Sequence, residues 1–170
     1  MTRTTATLLA ATGLAVSAGF AGAAPASAQE YPEGPFAVVS VPEPTQCVAA
    51  LRVDNSGAHT QQLPGTENCA PTDPNHKWTY DAATQQLRNV GRNECVWNRT
   101  LPDGTHRVVF RGCKDAALVQ DNQKWTATDD KHIESAVGGC MVLEPKASVI
   151  AVEDCADDDA QQDTSLVPVR

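Results

Sequence analysis

Four histidines, His59, His76, His106 and His132, are the side chains best suited to proton transfer or metal ligation near neutral pH. They are scattered, and no two have the spacing of a paired metal ligand. No G-x-S-x-G elbow and no glycine-rich phosphate loop is present, and no motif pairs a serine with a base. The 21 acidic residues leave a glycosidase pair open by count alone. Nothing in their spacing singles out an acid and a base, so the expectation is a non-catalytic protein without a cofactor. Glu153, Asp154, Asp157, Asp158, Asp159 and Asp163 form an acidic cluster. It reads as a solvated loop, with a docking patch for a basic partner as the alternative, and it lacks the spacing of a calcium loop. Asn98-Arg99-Thr100 has the form of a glycosylation triplet and carries no further argument.

The remaining reactive side chains are six cysteines: Cys47, Cys69, Cys95, Cys113, Cys140 and Cys155. Neither C-x-x-C nor H-x-x-x-H occurs, which argues against a metal site and for disulfides in an oxidising compartment. Taken as consecutive pairs, their first members lie 48 and 45 residues apart, and the pairs span 22, 18 and 15 positions. A period of this size marks a repeat architecture. The repeat selects Cys47–Cys69, Cys95–Cys113 and Cys140–Cys155, one bridge within each unit.

Other residues keep the same register. Asn75-His76-Lys77-Trp78, Asn122-Gln123-Lys124-Trp125 and Gln161-Gln162-Asp163-Thr164 each follow the second cysteine of a unit. Gln86-Leu87-Arg88 and His132-Ile133-Glu134 precede first cysteines, while Val108-Val109-Phe110 and Val149-Ile150-Ala151-Val152 precede second ones. These runs have strand length, turn residues such as Asp103-Gly104 and Gly138-Gly139 separate strands, and no long segment carries a helical stripe. The chain reads as all-β, with three repeats of about four short strands each.

The whole chain has 170 residues, 41% apolar and 20% charged, with a formal charge of −8. That composition is globular, and its acidity argues against nucleic acid and anionic membrane surfaces as partners. Residues 1–28 read as a secretion signal, with Arg3 at the start, an uncharged run from Ala6 to Ala21 and cleavage expected after Ala28. No other segment is apolar enough to span a bilayer, so a secreted, extracellular product is expected. Residues 29–35, with two prolines and a glycine, oppose helix and sheet and read as an extended arm. Phe36-Ala37-Val38-Val39-Ser40-Val41 follows, either the first strand of the domain or a strand exposed for a partner. The domain spans 36–170, with repeats of about 36–80, 81–128 and 129–170.

The Cys…Cys…Gln-x-Trp pattern, three times in register over Phe36 to Val167, resembles the ricin B-type β-trefoil. Gln123-Lys124-Trp125 matches best, His76-Lys77-Trp78 keeps the Trp, and Gln162-Asp163-Thr164 keeps the Gln. The resemblance implies a β-trefoil with Trp78 and Trp125 in a shared core, and sugar binding as the usual activity. In that family an Asp two positions after the first cysteine accepts from sugar hydroxyls, and a nearby aromatic ring covers the apolar sugar face. Ala49, Trp97 and Val142 stand at those three positions, and none can accept a hydrogen bond. Asp54 and Glu144 are the nearest substitutes.

The functional expectation is therefore a protein–protein adaptor or structural subunit of an extracellular complex. It would use the arm and strand (Tyr31, Phe36, Val38, Val39 and Val41), with Trp97 as a contact anchor if exposed and core if not. A looser resemblance, to the small bridging subunit of bacterial umbrella toxin particles, implies a toxin complex as the setting. The alternative is a carbohydrate-binding lectin using Trp97 and neighbouring carboxylates. An inhibitor that blocks an enzyme with a loop is a third possibility.

Overall fold

The structure is a computed structural model. It describes residues 30–54 and 60–170, and the side chains of all these except 52–54 and 60–62. The expected signal segment, the cleavage site after Ala28, His59 and the side chain of Asp54 lie outside the described residues.

Twelve antiparallel strands fall into three sets of four. The first set is β1 (Phe36–Ser40), β2 (Gln46–Asp54), β3 (Thr60–Asn68) and β4 (Trp78–Asp81). The second is β5 (Gln86–Asn89), β6 (Glu94–Thr100), β7 (His106–Arg111) and β8 (Trp125–Ala127). The third is β9 (Ile133–Ser135), β10 (Cys140–Val142), β11 (Ala151–Glu153) and β12 (Thr164–Pro168). The architecture is all-β in three repeats, as the cysteine register predicts, and it is the β-trefoil that the resemblance implies. The disulfides are Cys47–Cys69, Cys95–Cys113 and Cys140–Cys155, one inside each set.

Turn chemistry sets the strand ends. Between β6 and β7, Asp103 accepts from the Thr105 amide and hydroxyl while Gly104 takes φ +87°. That conformation is open to glycine and closed to most side chains. Between β9 and β10, Gly139 has φ +87°, and a Cβ there would meet Val152 Cγ1 at 2.8 Å.

The lobes are stitched together at their centre and at their ends. Val108 N–H donates to Ile150 O, and Ile150 N–H donates to Pro64 O, so one residue from each lobe joins a chain of bonds. Trp125 N–H donates back to Gln85 O and Thr164 N–H to Lys131 O. The first and last strands close the molecule: β1 pairs with β12 from Phe36↔Pro168 to Ser40↔Thr164. Phe36–Ser40 is thus an integral strand rather than a free one. Its partners are β12, β2 and β4.

Alternation explains the core. On β1, Phe36 and Val38 point inward and join Val48, Trp78, Leu87, Val96, Val108, Trp125, Ile133, Met141, Leu143, Ile150 and Val152. Trp78 and Trp125 are fully buried, as the resemblance implied. Each indole N–H finds a backbone carbonyl on the second strand of its own lobe: Trp78 to Val48 O at 2.8 Å, Trp125 to Val96 O at 3.2 Å. Burial of so large a ring is favourable when its one polar atom is paired. The third lobe places Thr164 there, and its hydroxyl donates to Lys131 O at 2.6 Å.

Candidate functional site

Before each of β4, β8 and β12 lies a short 3-10 turn: Pro74–His76, Asp121–Gln123 and Ala160–Gln162. Asp73 and Asp159 cap two of these turns, each accepting an amide two residues on. The third residue of each turn, His76, Gln123 or Gln162, is buried and reaches the disulfide loop of its own lobe. Gln162 Oε1 accepts from Ala156 N–H at 3.0 Å while its Nε2 donates to Asp154 O at 2.9 Å. Gln123 Nε2 donates to Gly112 O. His76 does the same work with a ring: Nδ1 accepts from Ala70 N–H at 3.5 Å, and Nε2 lies 3.0 Å from Glu67 Oε1. The departure of His76 from the Gln-x-Trp pattern is therefore a structural replacement.

The three positions two residues beyond the first cysteines differ in depth. Ala49 and Val142 are buried, at 0% and 4% exposure. Neither offers a polar atom or an open surface to a ligand. Trp97 is part-buried on β6, opposite Val109, with the Arg111 guanidinium 4.9 Å from its ring centroid. It lines an open pocket of about 420 Å³ together with Asn98, Thr100, His106, Asn122 and Val137. Asn98 Oδ1 and His106 Nδ1 are 3.2 Å apart, and Asn98 Nδ2 donates to Gly138 O. Two buried polar atoms at this pocket, Trp97 Nε1 and Asn122 Oδ1, take no hydrogen bond among the described residues. The sequence did not single out His106 with Asn122, because sixteen positions of chain separate them.

The remaining expected contact residues divide. Phe36 and Val38 are 0% and 1% exposed, so their side chains belong to the core and not to a partner surface. Tyr31 is packed against its own domain: its ring stacks on Tyr80 with centroids 3.7 Å apart and tilts against Phe36 at 5.6 Å. Its hydroxyl is buried without a hydrogen-bond partner among the described residues, and this burial pushes its pKa far above the ordinary tyrosine value. Tyr80 is also raised, first by burial and then by Asp81, and its hydroxyl donates to Trp125 O at 3.1 Å. The arm is therefore clasped to the body by aromatic contact, which its prolines and glycine concealed. Val39 and Val41 face outward and line an open groove of about 510 Å³.

Glu144 is exposed, and its backbone carbonyl accepts from the Thr66 hydroxyl. Most of the acidic cluster is exposed, while Asp163 lies 3.5 Å from His132 and Asp159 serves as a cap. Among the described residues no group of three His, Cys, Asp or Glu side chains is arranged to hold a metal, and no helix is long and apolar enough to cross a membrane.

No family model and no curated protein matches the sequence. Solved structures do match in fold. A non-toxic homologue of type II RIPs from Momordica charantia (bitter gourd), in complex with α-methyl-D-galactoside, aligns with a TM-score of 0.61 at 18% identity over 79% of this chain. The agglutinin from Abrus precatorius gives 0.58 at 16% identity over 79%. This chain spans about half the length of each, 48% and 46%. The β-trefoil lectin of the Vibrio vulnificus hemolysin/cytolysin, with N-acetyl-D-lactosamine bound, gives 0.58 at 12% identity, over 80% of this chain and 95% of the other. The fold is that of the ricin B-type and related β-trefoil lectins, the one the three repeated units resemble.

Proposed function

We propose that this protein is a secreted, non-catalytic β-trefoil that binds another protein, as an adaptor or structural subunit of an extracellular complex. The observation that carries this reading is the replacement of the sugar-accepting acid by Ala49, Trp97 and Val142, two of them sealed in the core. A site that recognises hydroxyl groups loses most of its discrimination without its acceptor. A rigid scaffold clamped by three bridges then remains, suited to hold protein surfaces outside the cell. A toxin particle is the proposed setting of the complex, in keeping with the looser resemblance.

One specific observation favours a second reading. The pocket at Trp97 sets a part-exposed aromatic ring beside the polar side chains of Thr100 and His106. That is chemistry a glycan hydroxyl satisfies. The two readings separate in one comparison. The secreted protein is applied to a glycan array and, in parallel, isolated from culture supernatant by size exclusion with mass analysis. A stoichiometric protein complex with no saturable glycan signal supports the adaptor. Selective glycan binding lost in Trp97→Ala, with the chain monomeric in the supernatant, assigns it as a lectin.

A further inference from the structure

The pseudo-threefold fold contains its own control for surface chemistry. Cross-strand registers equate Val39 with Arg88 and Glu134, because each stands opposite the first cysteine of its lobe. Their neighbours on the other flank are Ser165, Thr79 and Thr126. The next pairs outward are Ala37 with Val167, Gln86 with Asp81, and His132 with Thr128. After the second cysteine come Ala70-Pro71, Lys114-Asp115 and Ala156-Asp157.

The same surface is thus charged or polar in lobes two and three and almost wholly aliphatic in lobe one. In lobe two it forms a polar hollow of about 250 Å³ lined by Asp81, Arg88 and Lys114. In lobe one it forms the larger groove of about 510 Å³ lined by Ala37, Val39, Val41, Pro44, Pro71 and Val167. Val41 is 37% and Val167 43% exposed. The fold does not require apolar residues here, since two lobes build the same hairpin with polar ones. Exposed aliphatic area with no structural need is the mark of a binding surface.

The surrounding charge selects the occupant. Glu67 stands at the groove through His76, Glu43 precedes the lining residue Pro44, and Asp73 caps the turn that ends in His76. The cations nearby are Lys77 and Arg170, and the Lys77 ammonium is engaged by the Arg170 carbonyl at 3.1 Å. The molecule as a whole carries −8. A second copy would bring like charge, and a fatty acid or phospholipid would bring an anionic head to an acidic rim. From Ala37 to Val41 the face is about 13 Å long at the rise of a strand, enough for an extended segment of about five residues. We propose that this groove docks an extended apolar segment of a partner protein, with aliphatic side chains at alternate positions and basic residues on its flanks. The assignment rests on the adaptor reading and locates its contact surface on lobe one.

The test uses the full secreted protein and two synthetic peptides with one alternating Val/Thr core, flanked by lysines in one and glutamates in the other. Titration calorimetry and amide NMR read binding. The Lys-flanked peptide is expected to saturate and to shift the amides of Val39 and Val167. The Glu-flanked peptide is expected to bind about tenfold more weakly at low salt, a gap that closes as salt screens the rim. The double substitution Val39→Arg with Val167→Asp installs the lobe-two residue types. It should weaken binding about tenfold or more while the three bridges and the melting transition persist, because lobe two already accommodates such residues. Arg88→Ala, on the equivalent face of lobe two, should leave peptide binding unchanged. Absence of peptide binding, equal binding of both peptides, or binding unaltered by the double substitution would overturn the proposal. So would saturation by dodecanoate in place of peptide, or self-association of the chain that the double substitution abolishes. A stoichiometric secreted partner that still binds the double variant would keep the adaptor reading and remove the groove from it.

Discussion

At the residue scale, hydrogen-bond satisfaction decides what each unusual side chain is for. His76 replaces a glutamine by matching its acceptor with Nδ1 and its donor with Nε2. His76→Gln should therefore fold with stability close to that of the parent. His76→Leu should cost about 1–3 kcal/mol, read by urea denaturation, because it strands the Ala70 amide. Tyr31 presents the opposite case, a buried hydroxyl beside Tyr80 with no hydrogen-bond partner among the described residues. Folding raises the pKa of both tyrosines, chiefly through burial, above the ordinary value of 10.0. Above that pH the unfolded chain ionises first and binds fewer protons than the folded one, so their contribution is complete below pH 10 and stability falls as pH rises further. Absorbance titration should show the two tyrosines ionising later in the native protein than in urea. Tyr31→Phe should remove the larger part of this alkaline sensitivity without lowering stability at neutral pH.

At the element scale, β1 is the strand on which the arm question turns. It contributes Phe36 and Val38 to the core and pairs along its whole length with β12. Removing residues 29–41 should therefore unfold the domain rather than release a passive tether. The single substitution Phe36→Ala should cost about 3–5 kcal/mol, checked by thermal and urea melts. Each bridge closes its own lobe. Replacing both members of Cys95–Cys113 by serine should cost about 2–4 kcal/mol while peptide mapping still finds the other two bridges intact. A bridge between lobes in that map would contradict the lobe-by-lobe architecture.

At the scale of the whole molecule, closure of the first strand on the last makes three lobes one cooperative body. The Val108, Ile150 and Pro64 bonds link them at the centre, and the β1–β12 ladder links the ends. Deleting residues 164–170 should thus abolish the single unfolding transition seen by circular dichroism, not merely melt the third lobe. The three lobes share a backbone and differ in surface, and that difference is where function has room to sit: a polar hollow in lobe two, an aliphatic groove in lobe one and an aromatic-walled pocket at Trp97.

The sequence by itself determined the strand class, the threefold repeat, the disulfide pairing and the loss of the sugar-accepting acids. The first three follow from periodicity and residue type, which need no knowledge of what lies across the chain, and the last is what the family resemblance implies. Only the tertiary structure decided that Phe36 and Val38 are core, that Tyr31 is clasped to Tyr80, and that Trp97 shares a pocket with His106 and Asn122. It also decided that Val39, Val41 and Val167 form one surface. Each of these joins residues far apart in the chain, and for them burial and partnership are set by strand register, which a linear pattern of short apolar runs does not encode.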